Sequence, residues 1–266
     1  RTMGIYEKPA MAFLDRLGAE FGFAPPREAG FDTIGAIEAM RDGRAQVFFA
    51  LGGNFAAATP DSDVVYAALR ACALTVQVST KLNRSHIVHG REALILPCLG
   101  RTEIDLQAAG PQAVTVEDSM SMVHLSAGMN PPASPQLLSE PAIVARLAAA
   151  TLPHGPIQNG TIPWLSMIED YDRIRDRIAR VVPGFEDFNA RVHRPRGFHL
   201  HHPCRERAFP TATGQAIFIA HPLTDAHIDT DARTGDAPPS GDAHAAAPLL
   251  RLMTVRSHDQ YNTTIY

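Results

Sequence analysis

Three short apolar runs constrain this chain more than any other feature. They fall at residues 46–51, 74–78 and 93–97. Each is of strand length, and residues 62–71 between the first two pattern as a helix. The runs are nearly continuous, as in strands whose two faces both lie under helices. Strand, helix and strand in succession give a parallel sheet joined by right-handed crossovers. The expected fold class is therefore α/β, a parallel sheet flanked by helices.

The first run ends in Gly52-Gly53-Asn54, and Thr59-Pro60-Asp61 follows. Thr59 reads as an N-cap and Pro60 as the first helical residue. Glycines at the carboxyl end of a parallel strand let a ligand touch the backbone, because no Cβ stands in the way. A helix N-terminus then offers free N–H groups and partial positive charge to an anion. The same residues also suit an ordinary left-handed turn that closes a strand. The triplet is not G-x-G-x-x-G, so the residues alone leave both readings open.

Elsewhere, residues 9–21 carry Met11, Phe13, Leu14, Leu17 and Phe21 at helical spacing. Asp32 caps a second helix, with Ile34, Ile37 and Met40 on one face and Gly43 near its end. Residues 114–116 suit a short strand, and 129–135 are a proline-rich loop. Ser139-Glu140-Pro141 opens a helix over 142–150. Residues 164–181 read as one long amphipathic helix, with Trp164, Leu165, Ile168, Tyr171, Ile174 and Ile178 facing inward. A shorter helix follows at 185–192. Residues 210–219 read as turn and then strand, 224–248 as a mobile surface loop, and 249–255 as another strand. A boundary near Phe209 divides the chain into domains 1–209 and 210–266.

Net charge is −4 over 266 residues, so no electrostatic footprint for nucleic acid is evident. No apolar run approaches the roughly 20 residues that span a bilayer, and membrane insertion is not expected. Cys72, Cys98 and Cys204 are too few and too far apart for a disulfide framework or a four-cysteine iron–sulfur site. They fit a reducing, cytoplasmic compartment. His199, His201, His202 and Cys204 fit no standard zinc spacing, and no metal ligand is expected within the chain. Without an initiator Met, and ending just after a strand and a polar loop, the sequence reads as an excerpt from a longer protein.

Several segments taken together carry a resemblance. They are GGNFAAATPD, VSTKLNRSHIVHGREALILPCLGRTE, VTVEDSMSMVH and the terminal TVRSHDQYNTTIY. In these the chain resembles the catalytic subunits of molybdopterin-dependent oxidoreductases, in particular a formate-dehydrogenase-like subgroup associated with acid resistance. The resemblance implies that 1–209 is a Rossmann-like α/β domain and that 210–266 begins a truncated C-terminal β-barrel domain. It implies a bis(molybdopterin guanine dinucleotide) molybdenum cofactor, with a four-iron, four-sulfur cluster supplied from upstream. A small-molecule substrate and an electron-transfer partner follow from it.

Carried onto this sequence, the resemblance makes Gly52, Gly53 and Asn54 the turn against the nucleotide. It adds Ser79, Thr80 and Lys81 after the second strand, although the acidic residue that many relatives carry there is missing. Arg84 and His86 take a cofactor-facing loop, and Glu103 holds a neighbouring loop. Arg256, Ser257, His258 and Gln260 reach pterin and phosphates. No catalytic residue is assigned. The alternative is a stand-alone α/β module that binds an ordinary nucleotide or serves only in assembly.

Overall fold

The computed structural model describes residues 11–152 and 162–219. The chain divides into two units between His201 and His202.

In the first unit, β1 (Val47–Leu51), β2 (Leu74–Ser79) and β3 (Glu92–Pro97) form a parallel sheet in that order. All three apolar runs are strands, as expected. Before them lie α1 (Met11–Phe21) and α2 (Thr33–Arg41). Asp32 caps α2, its Oδ1 accepting from the Gly35 N–H at 2.7 Å.

The helix start after the glycine turn is not the expected one. A four-residue helix, α3 (Phe55–Ala58), follows Asn54 at once. Thr59 therefore ends a helix instead of starting one, and its hydroxyl donates to the Phe55 carbonyl at 2.9 Å. Asp61, in left-handed backbone at φ 58°, caps α4 (Ser62–Ala71) by accepting from the Val64 N–H at 3.3 Å.

Register assigns the faces of the sheet. Phe48 and Ala50 of β1 align with Thr75 and Gln77 of β2 and with Ala93 and Ile95 of β3. Phe48 packs on a core built from α2 and α4, with Ile37, Met40, Val65, Ala68 and Leu69 buried there. The opposite face carries Val47, Phe49, Leu51, Leu94 and Leu96, and all five are exposed. The expectation of two covered faces is thus met along the centre strand and not along β1 and β3, and on the first face Ile95 too is exposed. The centre strand alone is closed on both, with Val76 and Val78 buried.

After β3 comes a hairpin the sequence did not announce, β4 (Asp105–Gln107) with β5 (Gly110–Gln112). The strand expected at 114–116 is β6 (Val114–Glu117). It pairs antiparallel with β7 (Met122–Ser126), which pairs with β8 (Phe198–His199). Ser139 caps α5 (Glu140–Thr151), its Oγ accepting from the Ala142 N–H at 3.4 Å.

The long helix expected over 164–181 is two helices, α6 (Trp164–Glu169) and α7 (Asp172–Val181). Asp170 between them is extended, at φ −150°. Tertiary bonds win here over helical propensity. The Tyr171 N–H donates to Gln112 Oε1 at 2.8 Å, and the Glu169 carbonyl accepts from the Ala109 N–H at 3.0 Å. The Tyr171 hydroxyl bonds Ser139 Oγ at 2.7 Å and donates to the Asp105 carboxylate. Burial, then that carboxylate, raises the Tyr171 pKa, so the phenol stays protonated. Leu165, expected inside, is exposed.

A second core joins Val181, Val182 and Phe185 to Val123 of β7 and to Phe188 and Val192 of α8 (Phe188–Val192). Phe185, Phe188 and Phe198 meet edge to face at 4.8–6.0 Å. Arg177 and Arg180 both pair with Glu20, which holds α1 against α7.

In the second unit, the described residues 202–219 form α9 (Pro203–Glu206) and a turn in which the Gly214 N–H reaches the Thr211 carbonyl at 3.0 Å. Among these residues the strand expected within 210–219 is not formed, and Phe218 is fully exposed. No closed barrel is present among the described residues. The loop at 224–248 and the strand at 249–255 lie outside the described residues. Among the described residues no helix is long and apolar enough to cross a membrane.

Candidate functional site

The carboxyl ends of β1, β2 and β3 bring most of the expected site residues to one edge. Gly52 and Gly53 follow β1 with φ of 69° and 76°, both left-handed, which is where glycine is needed. The Gly52 N–H still donates to the Val78 carbonyl of β2 at 2.8 Å. Gly53 is bare: a Cβ built there meets nothing within 4 Å. A Cβ on Gly52 meets only the Glu140 carboxylate, at 3.8 Å.

The loop after β2 is tied to this turn. Asn83 Nδ2 donates to the Gly53 carbonyl at 2.8 Å, and its Oδ1 accepts from the Ser85 N–H at 2.9 Å. The Ser85 hydroxyl donates to Asn54 Oδ1 at 3.2 Å and accepts from the Ala56 N–H at 3.0 Å. Asn54 therefore closes no Asx turn of its own; its side chain locks the two loops together. Ser85 is fully buried in that role.

His86 ends the one-turn helix Arg84–His86. The Asn83 N–H donates to His86 Nδ1 at 3.0 Å. Nδ1 also lies 3.1 Å from Asn83 Oδ1 and 3.2 Å from the Asn83 carbonyl oxygen, so which ring nitrogen donates follows the tautomer. Nε2 is buried and has no protein partner. An unmet buried polar atom costs about 1–3 kcal/mol, so its presence needs a reason.

Arg84 is exposed, with Nη1 donating to the Tyr66 hydroxyl at 3.2 Å. Ser79 turns its hydroxyl onto the Lys81 backbone, donating to the carbonyl at 2.7 Å and accepting from the N–H at 3.3 Å. Thr80 lies beside Gly100, within 3.9 Å of a Cβ built there. Lys81 is exposed at the rim. Arg256, Ser257, His258 and Gln260 lie outside the described residues.

Glu103 holds the loop after β3, as expected. Its carboxylate accepts from the Gly100 and Ala133 N–H groups, both at 2.6 Å. Gly128 packs so tightly that a Cβ there would lie 2.0 Å from the Glu103 carbonyl oxygen. Glu103, Asp105 and Glu140 line a small cavity of about 120 Å³ with Arg101 and Ser139. Burial, then Glu140 and Glu103, raises the pKa of the neighbouring Cys98 thiol, which keeps it protonated and unreactive. Among the described residues no group of His, Cys, Asp or Glu is set to hold a metal ion.

The bonds from Gly100 and then Ala133 hold the Glu103 carboxyl below the usual glutamate range. A depressed folded pKa means stability present above the unfolded value and lost as pH falls through the folded one. Glu103→Gln should therefore speed hydrogen exchange in the 98–103 and 130–133 segments at neutral pH. The difference from wild type should shrink in acid, where Glu103 itself protonates. Equal exchange at neutral pH would mean the carboxylate does not hold the loops.

Asn83, Ser85 and Glu140 were not among the expected contacts of the turn, although Asn83 and Ser85 stand in the same motif. Glu140 reaches Gly52 from the first turn of α5, 88 residues later in the chain, and so brings a carboxylate to an edge whose second strand lacks one.

Comparison with known proteins is informative at this point. The chain is 54% identical to a protein of Mycobacterium tuberculosis named an uncharacterized oxidoreductase. That similarity runs over 267 residues, 100% of this chain and 32% of the relative. A Mycobacterium bovis protein of the same description matches equally. Protein YdeP of Escherichia coli is 47% identical over 266 residues, again 100% of this chain and 32% of the relative. The chain thus spans about a third of the length of the curated relatives it matches. No family model matches it.

Proposed function

We propose that this chain forms one wall of the cofactor cleft in a molybdenum-dependent oxidoreductase resembling formate dehydrogenase, one that carries bis(molybdopterin guanine dinucleotide). The observation that carries the proposal is the locked edge at Gly53. A bare, left-handed glycine stands at a parallel strand's carboxyl end, braced by Asn83 and Ser85 beside a buried His86 with an unmet Nε2. Relatives from Mycobacterium tuberculosis and Mycobacterium bovis bear the name oxidoreductase, and the similarity covers the whole of this chain.

The residues present fit a nucleotide ligand. Gly52 and Gly53 leave the backbone open to it, Asn54 fixes the turn, and Ser79 and Thr80 shape the neighbouring strand end. Lys81 and Arg84 offer positive charge to phosphate at the rim. With its proton on Nε2, His86 suits a phosphate or carbonyl oxygen. Glu140 supplies a carboxylate that can accept from guanine N–H groups. When bound, the cofactor supplies two-electron redox chemistry on a small substrate. The residues here hold and orient it, and none acts on the substrate itself. A four-iron, four-sulfur cluster and the electron-transfer partner are assigned to polypeptide outside this chain. Contacts from Arg256, Ser257, His258 and Gln260 remain part of the proposal on the resemblance alone.

Metal and pterin analysis of the full-length protein, purified without oxygen, tests this directly. Molybdenum, pterin and iron are expected together, and absence of molybdenum and pterin would sink it in favour of an assembly module. The 266-residue chain alone should hold no iron. Its cysteines are free thiols, with Cys72 and Cys98 buried and Cys204 exposed. Stoichiometric iron in that chain would contradict the assignment of the cluster.

A further inference from the structure

Basic side chains gather on the antiparallel sheet of β6, β7 and β8. Residues 191–199 hold three arginines, two histidines and no carboxylate, in a chain of net charge −4. This segment leads from the end of α8 into β8, which pairs with β7. It turns over Pro195 and Arg196, and the Gly197 N–H donates to the Arg194 carbonyl at 2.9 Å. The turn and β7 enclose a cavity of about 410 Å³. Met122, Leu125 and Val192 form its apolar part. Arg194, Arg196, His124 and His193 form its polar part.

The turn is fixed in place. A Cβ on Gly197 would sit 1.9 Å from the Val123 carbonyl oxygen, so the backbone lies directly on β7. Arg196 holds left-handed backbone at φ 72°, at the position after proline where such a turn favours glycine. A long charged side chain is thus kept where it costs stability, which is common where a side chain has a task.

The three arginines differ in their engagements. Arg191 lies 3.8 Å over the Phe198 ring and donates to the Gly184 and Glu186 carbonyls at 2.8 and 3.0 Å. Arg194 and Arg196 are exposed, and among the described residues their side chains have no partner. The carboxylates within reach of the histidines are already engaged. Asp172 pairs with Arg175 and His193. Asp118, within electrostatic reach of His124 and His199, accepts from the Met120 and Met122 N–H groups. Two guanidinium groups are left at one cavity with no carboxylate among the described residues to pair with.

We propose that this cavity binds an organic phosphate, its phosphoryl oxygens taken by Arg194 and Arg196 and its body resting on Met122, Leu125 and Val192. A phosphate monoester carries about −1.5 to −2 charge at neutral pH, so it matches two guanidinium groups better than a single carboxylate does. A concave lining that is part apolar and part cationic suits a small molecule with a body as well as a charge. The site stands on a different sheet from the glycine edge, and the inference does not rest on what that edge binds.

Phenyl phosphate, one phosphoryl group on an apolar ring, is the probe, titrated by calorimetry into the full-length protein. Saturable binding is expected, and it should be at least about tenfold weaker in Arg194→Gln and in Arg196→Gln, each of which removes a charged fork. Benzoate, with the same ring and a single charge, should bind at least about tenfold more weakly than phenyl phosphate. Arg84→Gln, at the glycine edge, should bind the probe as wild type does. Arg196→Gly separates binding from folding. Glycine relieves the left-handed backbone, so this variant should melt no earlier than wild type and still bind at least about tenfold more weakly. No saturable binding, affinity unchanged in the Arg194 and Arg196 variants, affinity lost in Arg84→Gln, or benzoate bound as tightly as phenyl phosphate would each overturn the proposal.

Discussion

Replacing Arg175 with methionine should destabilise the first unit by about 3 kcal/mol, toward the lower end expected when one partner of a buried pair is removed. Arg175 is buried in α7. Its Nε donates to Asn189 Oδ1 at 2.8 Å, and Nη1 donates to the Ala113 carbonyl at 2.9 Å. Its Nη2 pairs with the Asp172 carboxylate. One guanidinium therefore joins α7, α8 and the junction of β5 with β6. Methionine preserves much of the volume but leaves these acceptors unmet. The loss stays at the lower end because Asp172 is partly solvated and also bonds His193 at 3.0 Å. Denaturant melts of wild type and Arg175→Met would measure it. A change under 1 kcal/mol would show that the fork is not holding these elements.

The pH dependence sharpens that expectation. Burial pushes the Asp172 carboxyl up, but Arg175 and then His193 outweigh it and hold the group below the usual aspartate range. A depressed folded pKa gives stability that is present above the unfolded value and lost as pH falls through the folded one. The gap between wild type and Arg175→Met should therefore be widest near neutrality and narrow in acid. A gap that is flat with pH would assign the loss to packing alone.

The parallel strands are legible in the sequence because three mostly apolar runs of strand length, the second interrupted by Thr75 and Gln77, admit few other structures. Asp32 and Ser139 are legible as caps because a cap bond is local, within three residues. What is not legible is set by partners far away in the chain. The break after Glu169 depends on Gln112, 59 residues from Tyr171, and no periodicity in 164–181 records it. Strand β7, MVHLS, is short and interrupted by His124, so its pairing with β6 and β8 carries little pattern of its own. The candidate site divides in the same way. Gly52-Gly53-Asn54 announces a turn by composition. That Asn83 and Ser85 brace it, that His86 keeps an unmet buried ring nitrogen, and that Glu140 approaches it are tertiary facts. The expectation that both faces are covered fails at the outer strands for a related reason: an apolar run reports that a strand is suited to burial, and not that its neighbours bury it.

Gly53→Val in the full-length protein should reduce molybdenum loading at least about tenfold in the fraction that folds, since a lost contact of 1.4 kcal/mol or more already corresponds to that factor. Two effects of the valine must be separated. Left-handed backbone at φ 76° disfavours a β-branched residue by about 1–3 kcal/mol whatever lies nearby. The side chain would also project into the open space against which a ligand can press. Gly43 offers the control for strain, with φ 74° and only Gln46 Nε2 near a built Cβ, at 3.7 Å. Gly43→Val should melt earlier, as Gly53→Val does, yet load normally once folded. Gly53→Asn offers the converse, since asparagine tolerates left-handed backbone but still fills the space. It should melt close to wild type and remain cofactor-poor. If Gly53→Asn loads as wild type does, the glycine serves the turn alone, and the cofactor wall does not run over Gly53.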